Sequence, residues 1–295
     1  MRNQASATAK VIAAATIFLR AQSKDAILVS DEAAQLCAKF LSTLLRDRLL
    51  RRMASTPVLA WVCWALERAT LTGIMTHYAR RKCTIEREVL SRLREDSIGR
   101  VYILGAGFDT LCLRIAAMFP NVKFVELDHP ATQAVKLRAL ANSALPQNLE
   151  FRAVDLATTA TEQLFTLPQA ASISRNRLVI AEGLLRYFAR AQVERLLAGA
   201  LGTHLSDAGS NVCIFSYMEQ IDGLPAGFRP RSWLIDRWLA LKKEPFLWSA
   251  SAASLAEVVS YAGGRIERAI QITDFEGAAS ASTITGENLV IARSV

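Results

Sequence analysis

The order of apolar and polar positions divides the chain near residue 98. Through residues 5–97 apolar side chains recur at helical spacing and few runs read as strands. Ala9–Ala21 is one predicted helix, and Asp31–Leu50 is a second, with Asp31 as its N-cap. Pro57 opens a third over Trp61–Ala69, and Ile85–Arg94 makes a last, charged one. From Arg100 onward short apolar runs alternate with helical stretches. Val101–Leu104, Val122–Leu127, Phe151–Val154, Leu178–Ala181 and Val212–Phe215 read as strands one to five. Ile266–Ile272 reads as a sixth and Leu289–Ala292 as a last edge strand, with helices predicted over Thr110–Met118, Ala131–Asn142 and Arg190–Leu201. Such alternation predicts an α/β, doubly wound, mostly parallel sheet, because parallel neighbours need a right-handed crossover. The expected organisation is an N-terminal helical cap, residues 1–97, on a core of residues 98–295.

Composition narrows the class. Of 295 residues 52% are apolar and 21% charged, which excludes disorder and fibrous repeats. The longest apolar runs, Val11–Leu19 and Met53–Leu66, are closed by Arg20 and by Glu67-Arg68, too short to span a bilayer. The net charge of +8 is uneven: residues 1–97 hold 16 Lys+Arg against 9 Asp+Glu, whereas residues 98–295 hold 19 against 18. A basic helical segment could meet nucleic acid or an anionic membrane. No aromatic-basic nucleic-acid module accompanies the charge, so no nucleic-acid partner is expected. Docking on a membrane surface through Arg51 and Arg52 stays open beside the plainer reading of a solvated helix face. Five scattered cysteines without a CxxC or a nearby histidine argue against a metal site or a disulfide framework. Arg2 and Lys10 ahead of a short apolar run weakly resemble a leader, but Arg20 follows at once and no clean cleavage site is seen. A cytoplasmic location is expected.

In a doubly wound sheet ligands bind outside the carboxyl ends of the strands, so the residues after each strand carry the candidate chemistry. Gly105-Ala106-Gly107 follows strand one. Glycines there admit a ligand that a Cβ would repel, but a tight turn explains them equally, and Thr110 stands where a dinucleotide fingerprint has its third glycine. Asp128, at the end of strand two, lies 23 residues past Gly105, suited to ribose hydroxyls or to capping the next helix. Asp155-Leu156 follows strand three and could hold an adenine or cap its own loop. Glu182 closes strand four, where a carboxylate is costly unless a polar cleft receives it.

LGAGFDT, FVELDHP, Val154-Asp155-Leu156 and IAEGLLRYF, in that order and spacing, resemble the leucine carboxyl methyltransferase family, whose bacterial members include polyketide-type O-methyltransferases. Ser6–Ala9, Arg20-Ala21, Asp31–Ala34 and Arg81-Lys82 with Ile85 resemble its opening helices, and the likeness covers roughly residues 5–200. The resemblance implies a Rossmann-like fold of the class I S-adenosylmethionine (SAM) methyltransferases, with SAM as cofactor. It implies that Gly105, Ala106 and Gly107 line the methionine end, Asp128 holds the ribose, Asp155 and Leu156 the adenine, and Glu182 the methionine amino group. An arginine would meet the cofactor carboxylate bidentately: the motif selects Arg81, counting back from the glycines selects Arg80, and Lys10 is a weak further match.

The implied reaction is O-methylation of a small-molecule carboxyl or hydroxyl acceptor, hydrophobic or acidic in character. Tyr187 could position that acceptor or simply pack. His129 reads as a capping residue, and His77 and His204 as helical. Arg186, where relatives usually carry an apolar residue, bears on the acceptor only if it faces the cleft. Residues 218–248, rich in aromatic and basic side chains, either cover the acceptor site or form an amphipathic helix packed on the core. Two other classes compete: a SAM-binding or membrane-surface interaction protein without turnover, and an NAD-dependent oxidoreductase, against which the missing glycine argues.

Overall fold

The computed structural model describes residues 5–43, 45–165, 176–202, 209–221, 224–272 and 284–295. Five helices come first: α1 (Ala7–Gln22), α2 (Asp31–Leu41), α3 (Leu45–Ser55), α4 (Pro57–Thr70) and α5 (Ile74–Glu95). The predicted helix Asp31–Leu50 is two helices. The hydroxyls of Ser42 and Thr43 donate to the carbonyls of Lys39 and Phe40, an alternative to the helical ladder that ends α2 there. Ser30, not Asp31, is the N-cap, its hydroxyl accepting from Ala33 N–H at 3.1 Å, and Asp31 is the first helical residue.

The core alternates strands and helices: β1 (Arg100–Leu104), α6 (Leu111–Ile115), β2 (Lys123–Asp128), α7 (Pro130–Leu140), β3 (Leu149–Ala153), α8 (Thr161–Phe165), β4 (Arg177–Ala181), α9 (Arg190–Leu201), β5 (Val212–Met218), α10 (Trp233–Leu241), α11 (Ala252–Tyr261), β6 (Gly264–Gln271) and β7 (Glu287–Ser294). One seven-stranded sheet runs in the order β3-β2-β1-β4-β5-β7-β6, parallel through β5, with β6 and β7 antiparallel. Leu289–Ala292 was expected at the edge. Instead β7 lies between β5 and β6, and its Leu289, Val290, Ile291 and Ala292 are buried; the exposed edge falls to β6, whose polar residues tolerate water.

Strand residues alternate between two cores, as the period of two requires. Tyr102, Leu104, Val125, Leu127, Val179 and Phe215 face α8, α9 and α11. Val101, Ile103, Phe124, Ile180 and Ile214 face α5 and α6. A third core joins α1, α2 and α4 to α7 through Phe18, Phe40 and Val135. Strand order reverses between β1 and β4, and a crevice opens outside their carboxyl ends. Among the described residues no single helix is long and apolar enough to cross a membrane; α4 and α5 combine the length and hydropathy only as a pair bent by 91°.

Candidate active site

A cavity of about 730 Å³ fills that crevice. Gly105, Ala106, Gly107, Asp128, Asp155, Leu156, Glu182 and Tyr187 all line it, together with Arg81. Arg80 is buried on the same helix but is not among the lining residues. Lys10 is not either; it pairs with the buried Asp47 at 3.2 Å. His204 and the predicted role for it lie outside the described residues.

The glycines are needed where they stand. Gly105 and Gly107 have φ of +62° and +53°, and a Cβ on Gly105 would meet Leu184 Cδ1 at 2.5 Å. The turn they form presents Gly107 N–H to Asp128 Oδ2 at 2.7 Å, while His129 N–H donates to Oδ1 at 2.7 Å. Asp128 therefore does not cap α7. His129 does, its Nδ1 accepting from Ala131 N–H at 3.3 Å. Burial raises the Asp128 carboxyl above its ordinary range, opposed by those two N–H donors. Asp155 caps its own loop through Ala157 N–H at 3.0 Å and still lines the cavity.

After β4, Gly183 N–H donates to Ser216 Oγ at 2.8 Å and fixes the turn that carries Glu182. Glu182 is held from two sides of α5. Arg81 Nε and Nη2 donate to its Oε1 at 3.0 and 2.8 Å, and Lys82 Nζ reaches its Oε2 at 3.1 Å. Lys82 also bonds Asp109. Burial works to lower the Lys82 pKa, but the Asp109 and Glu182 carboxylates outweigh it and raise it, while Lys82 and Lys136 bring Asp109 down to about 2 against its burial. Sequence reasoning passed over Lys82 in favour of arginine and did not single out Asp109, although both stand within the motifs it used.

Behind the cavity sits a group invisible to strand-end reasoning. Glu287, the first residue of β7, is 1% exposed and accepts from Arg81 Nη1 at 2.8 and 2.9 Å, pairs with Arg186, and meets His77 Nε2 at 2.9 Å. Arg186 is buried and lines the cavity, its Cζ 5.0 and 5.4 Å from the Phe246 and Phe228 rings. Burial, then Arg81, lowers its pKa to about 10. Tyr187 packs edge-on against Phe246 at 5.6 Å, and burial raises its phenol pKa. Within residues 218–248, α10 buries Leu239, Glu244 lines the cavity, and Phe246 packs on the lining residue Tyr187.

The same fold is found in a solved structure of a candidate methyltransferase from Thermobifida fusca YX, 14% identical, aligned over 87% of this chain and 94% of that one with a TM-score of 0.57. The fold is that of the class I SAM-dependent methyltransferases. Within it the chain belongs to the leucine carboxyl methyltransferase family, whose model matches residues 9–200. A relative in Bacillus subtilis (strain 168), YktD, named as a candidate S-adenosyl-L-methionine-dependent methyltransferase, is 42% identical over 59 residues. That match spans about a fifth of each protein, 19% of either length.

Proposed function

We propose that this protein is a SAM-dependent O-methyltransferase that moves the sulfonium methyl to a carboxyl or hydroxyl oxygen of a small-molecule acceptor. The observation that carries this reading is convergence: the glycine turn and three strand-end acids, spread over 78 positions from Gly105 to Glu182, line one cavity with Tyr187. The donor set fits the cofactor. Each Asp128 oxygen accepts one backbone N–H and keeps a lone pair for a ribose hydroxyl. Leu156, 5% exposed, offers an apolar wall for adenine, and the Asp155 carboxylate beside it an acceptor for the ring amine. The Arg81–Glu182 ion pair is complementary to a zwitterion, Arg81 for the carboxylate and Glu182 for the ammonium group of a methionine.

SAM, when bound, supplies the activated methyl group; the protein aligns the acceptor and excludes water. A carboxylate is already a nucleophile and needs no general base, whereas a hydroxyl does. Arg186 and a protonated Tyr187 put a cation and an O–H donor at one end of the cavity, which favours the carboxylate.

Isothermal titration with SAM and with S-adenosylhomocysteine tests this. Both should bind saturably, and Asp128→Ala or Glu182→Ala should weaken binding about ten- to hundredfold, the cost of losing a hydrogen bond to a charged group. Folded wild-type protein that binds neither compound refutes the assignment; variants that bind as wild type refute the residues.

A further inference from the structure

We propose that the corner between α3 and α4 is a docking surface for an anionic lipid bilayer. Between them α3 and α4 expose Val58, Trp61, Trp64, Arg48, Arg52 and Arg68. On α4, Val58 is 83% exposed and Trp61 75%, one helical turn apart on the same face. Trp64, on the flank, is 38% exposed and anchored by an edge contact to Phe18 at 5.2 Å. On α3, Arg48 and Arg52 are exposed one turn apart, and Arg68 is exposed near the end of α4. Among the described residues none of these three arginines has a carboxylate partner, and Arg48 reaches only the Ser42 carbonyl at 2.9 Å. The acids adjacent to them in sequence are both buried and otherwise engaged: Asp47 is turned to Lys10, and Glu67 accepts from Met75 N–H at 3.0 Å.

Like charges at i and i+4 repel, so Arg48 and Arg52 favour an external anion. Solvated tryptophan beside arginine is the pattern of a helix lying in a membrane interface, with the indole at headgroup depth and the guanidinium on lipid phosphate. The corner is held as a firm element: Ala54 and Ala60 are buried beneath it, and Cys63 Sγ donates to the Met53 carbonyl across the two helices. Arg51, which the sequence pointed to alongside Arg52, turns partly inward with its Nε buried. Helix α1 packs on both α3 and α4 and lines the cavity with Ala9 and Ile12, so it lies between this surface and the site.

The test is sedimentation of the full chain with vesicles of phosphatidylcholine alone or with phosphatidylglycerol added. Binding should need phosphatidylglycerol and should largely vanish at roughly 0.5 M salt, where surface charge acts over only a few Å. The pairs Arg48→Glu with Arg52→Glu, and Val58→Ser with Trp61→Ser, should each weaken it about tenfold or more while titrating with SAM as wild type does. If the charge reversal fails to fold, Arg48→Gln with Arg52→Gln takes its place. Wild-type protein that ignores anionic vesicles overturns the proposal, as do both variant pairs binding normally. Loss of binding in Trp233→Ser instead would move the surface to α10 and also overturn it. A dimer in gel filtration that Val58→Ser with Trp61→Ser dissolves, with no vesicle binding, would assign the face to a second copy.

Discussion

Glu287 gathers two guanidiniums and an imidazole around one buried carboxylate, and this arrangement fixes the state of His77. Burial, with Arg81, Arg186 and Arg80 close by, lowers the His77 pKa well below its ordinary 6.5. Glu287 opposes that shift, but its charge is already shared by the two arginines. His77 is therefore neutral, with Nε2–H donating to Glu287 and Nδ1 left without a hydrogen-bond partner. The unfolded chain binds this proton more readily than the folded one. The stability that neutral His77 contributes is thus complete above pH 6.5 and falls as the pH drops below it, by at most about 1.4 kcal/mol per pH unit. Asp109, lowered to about 2, loses its contribution only in much stronger acid. Glu126 and Asp128, raised by burial, act in the opposite sense and become less costly as the pH falls. Comparing urea midpoints of wild type and His77→Gln between pH 5 and 7 separates these terms: the acid-side loss should flatten in the variant. An unchanged slope would show that His77 titrates normally.

At the scale of elements, one carboxylate ties the start of α1 to the segment that follows α10. Glu244, 3% exposed and just beyond α10, accepts from Ala7 N–H and Thr8 N–H at 3.3 Å and from the Thr8 hydroxyl at 2.5 Å. It occupies the N-terminus of the sixteen-residue α1, where the helix dipole favours an anion. Glu244→Ala should cost about 2 kcal/mol in urea unfolding, the worth of hydrogen bonds to a charged group. Thr8→Ala should be non-additive with it, whereas the exposed Glu257→Ala should stay within about 0.5 kcal/mol of wild type. Full additivity would mean that the Thr8 hydroxyl adds nothing to the clasp beyond the two backbone N–H bonds. No local pattern announces such a contact, because Glu244 and Thr8 are 236 positions apart and both sit outside the periodic stretches. The same reason hid Glu287, 206 positions from Arg81. By contrast β1, β4 and β5 were legible because strands buried on both faces read as nearly continuous apolar runs. The strand-end residues followed from them through the switch-point rule. The order of β6 and β7 was not legible: a hairpin can add to a sheet by either strand, and only the buried flanks of β7 decide it.

For the molecule as a whole, the question is whether the helices of residues 1–97 form a separate lid or one cooperative unit with the core. The cavity is built from both parts: Ser6, Ala9, Ile12, Arg81 and Lys82 on one side, Gly105–Asp109, Asp128 and Glu182 on the other. The Arg81–Glu182 and Lys82–Glu182 pairs cross the same boundary, as does the Glu244 clasp on α1. A ligand that contacts both sides must draw its stabilisation from both at once. With SAM at a hundred times its dissociation constant, mass action adds about 2.7 kcal/mol to the folded state. That should raise the melting temperature by roughly 5 °C for a chain of this size, in a single transition. Hydrogen exchange gives the sharper reading, because it resolves the parts. If the helical cap and the core unfold together, amides of α1, α5 and β1 should gain protection from SAM in equal measure. If α1 keeps exchanging at its ligand-free rate while β1 slows, the cap opens independently of the bound site, and the coupling that Glu182 and Glu244 provide is weaker than the strand that carries the glycines.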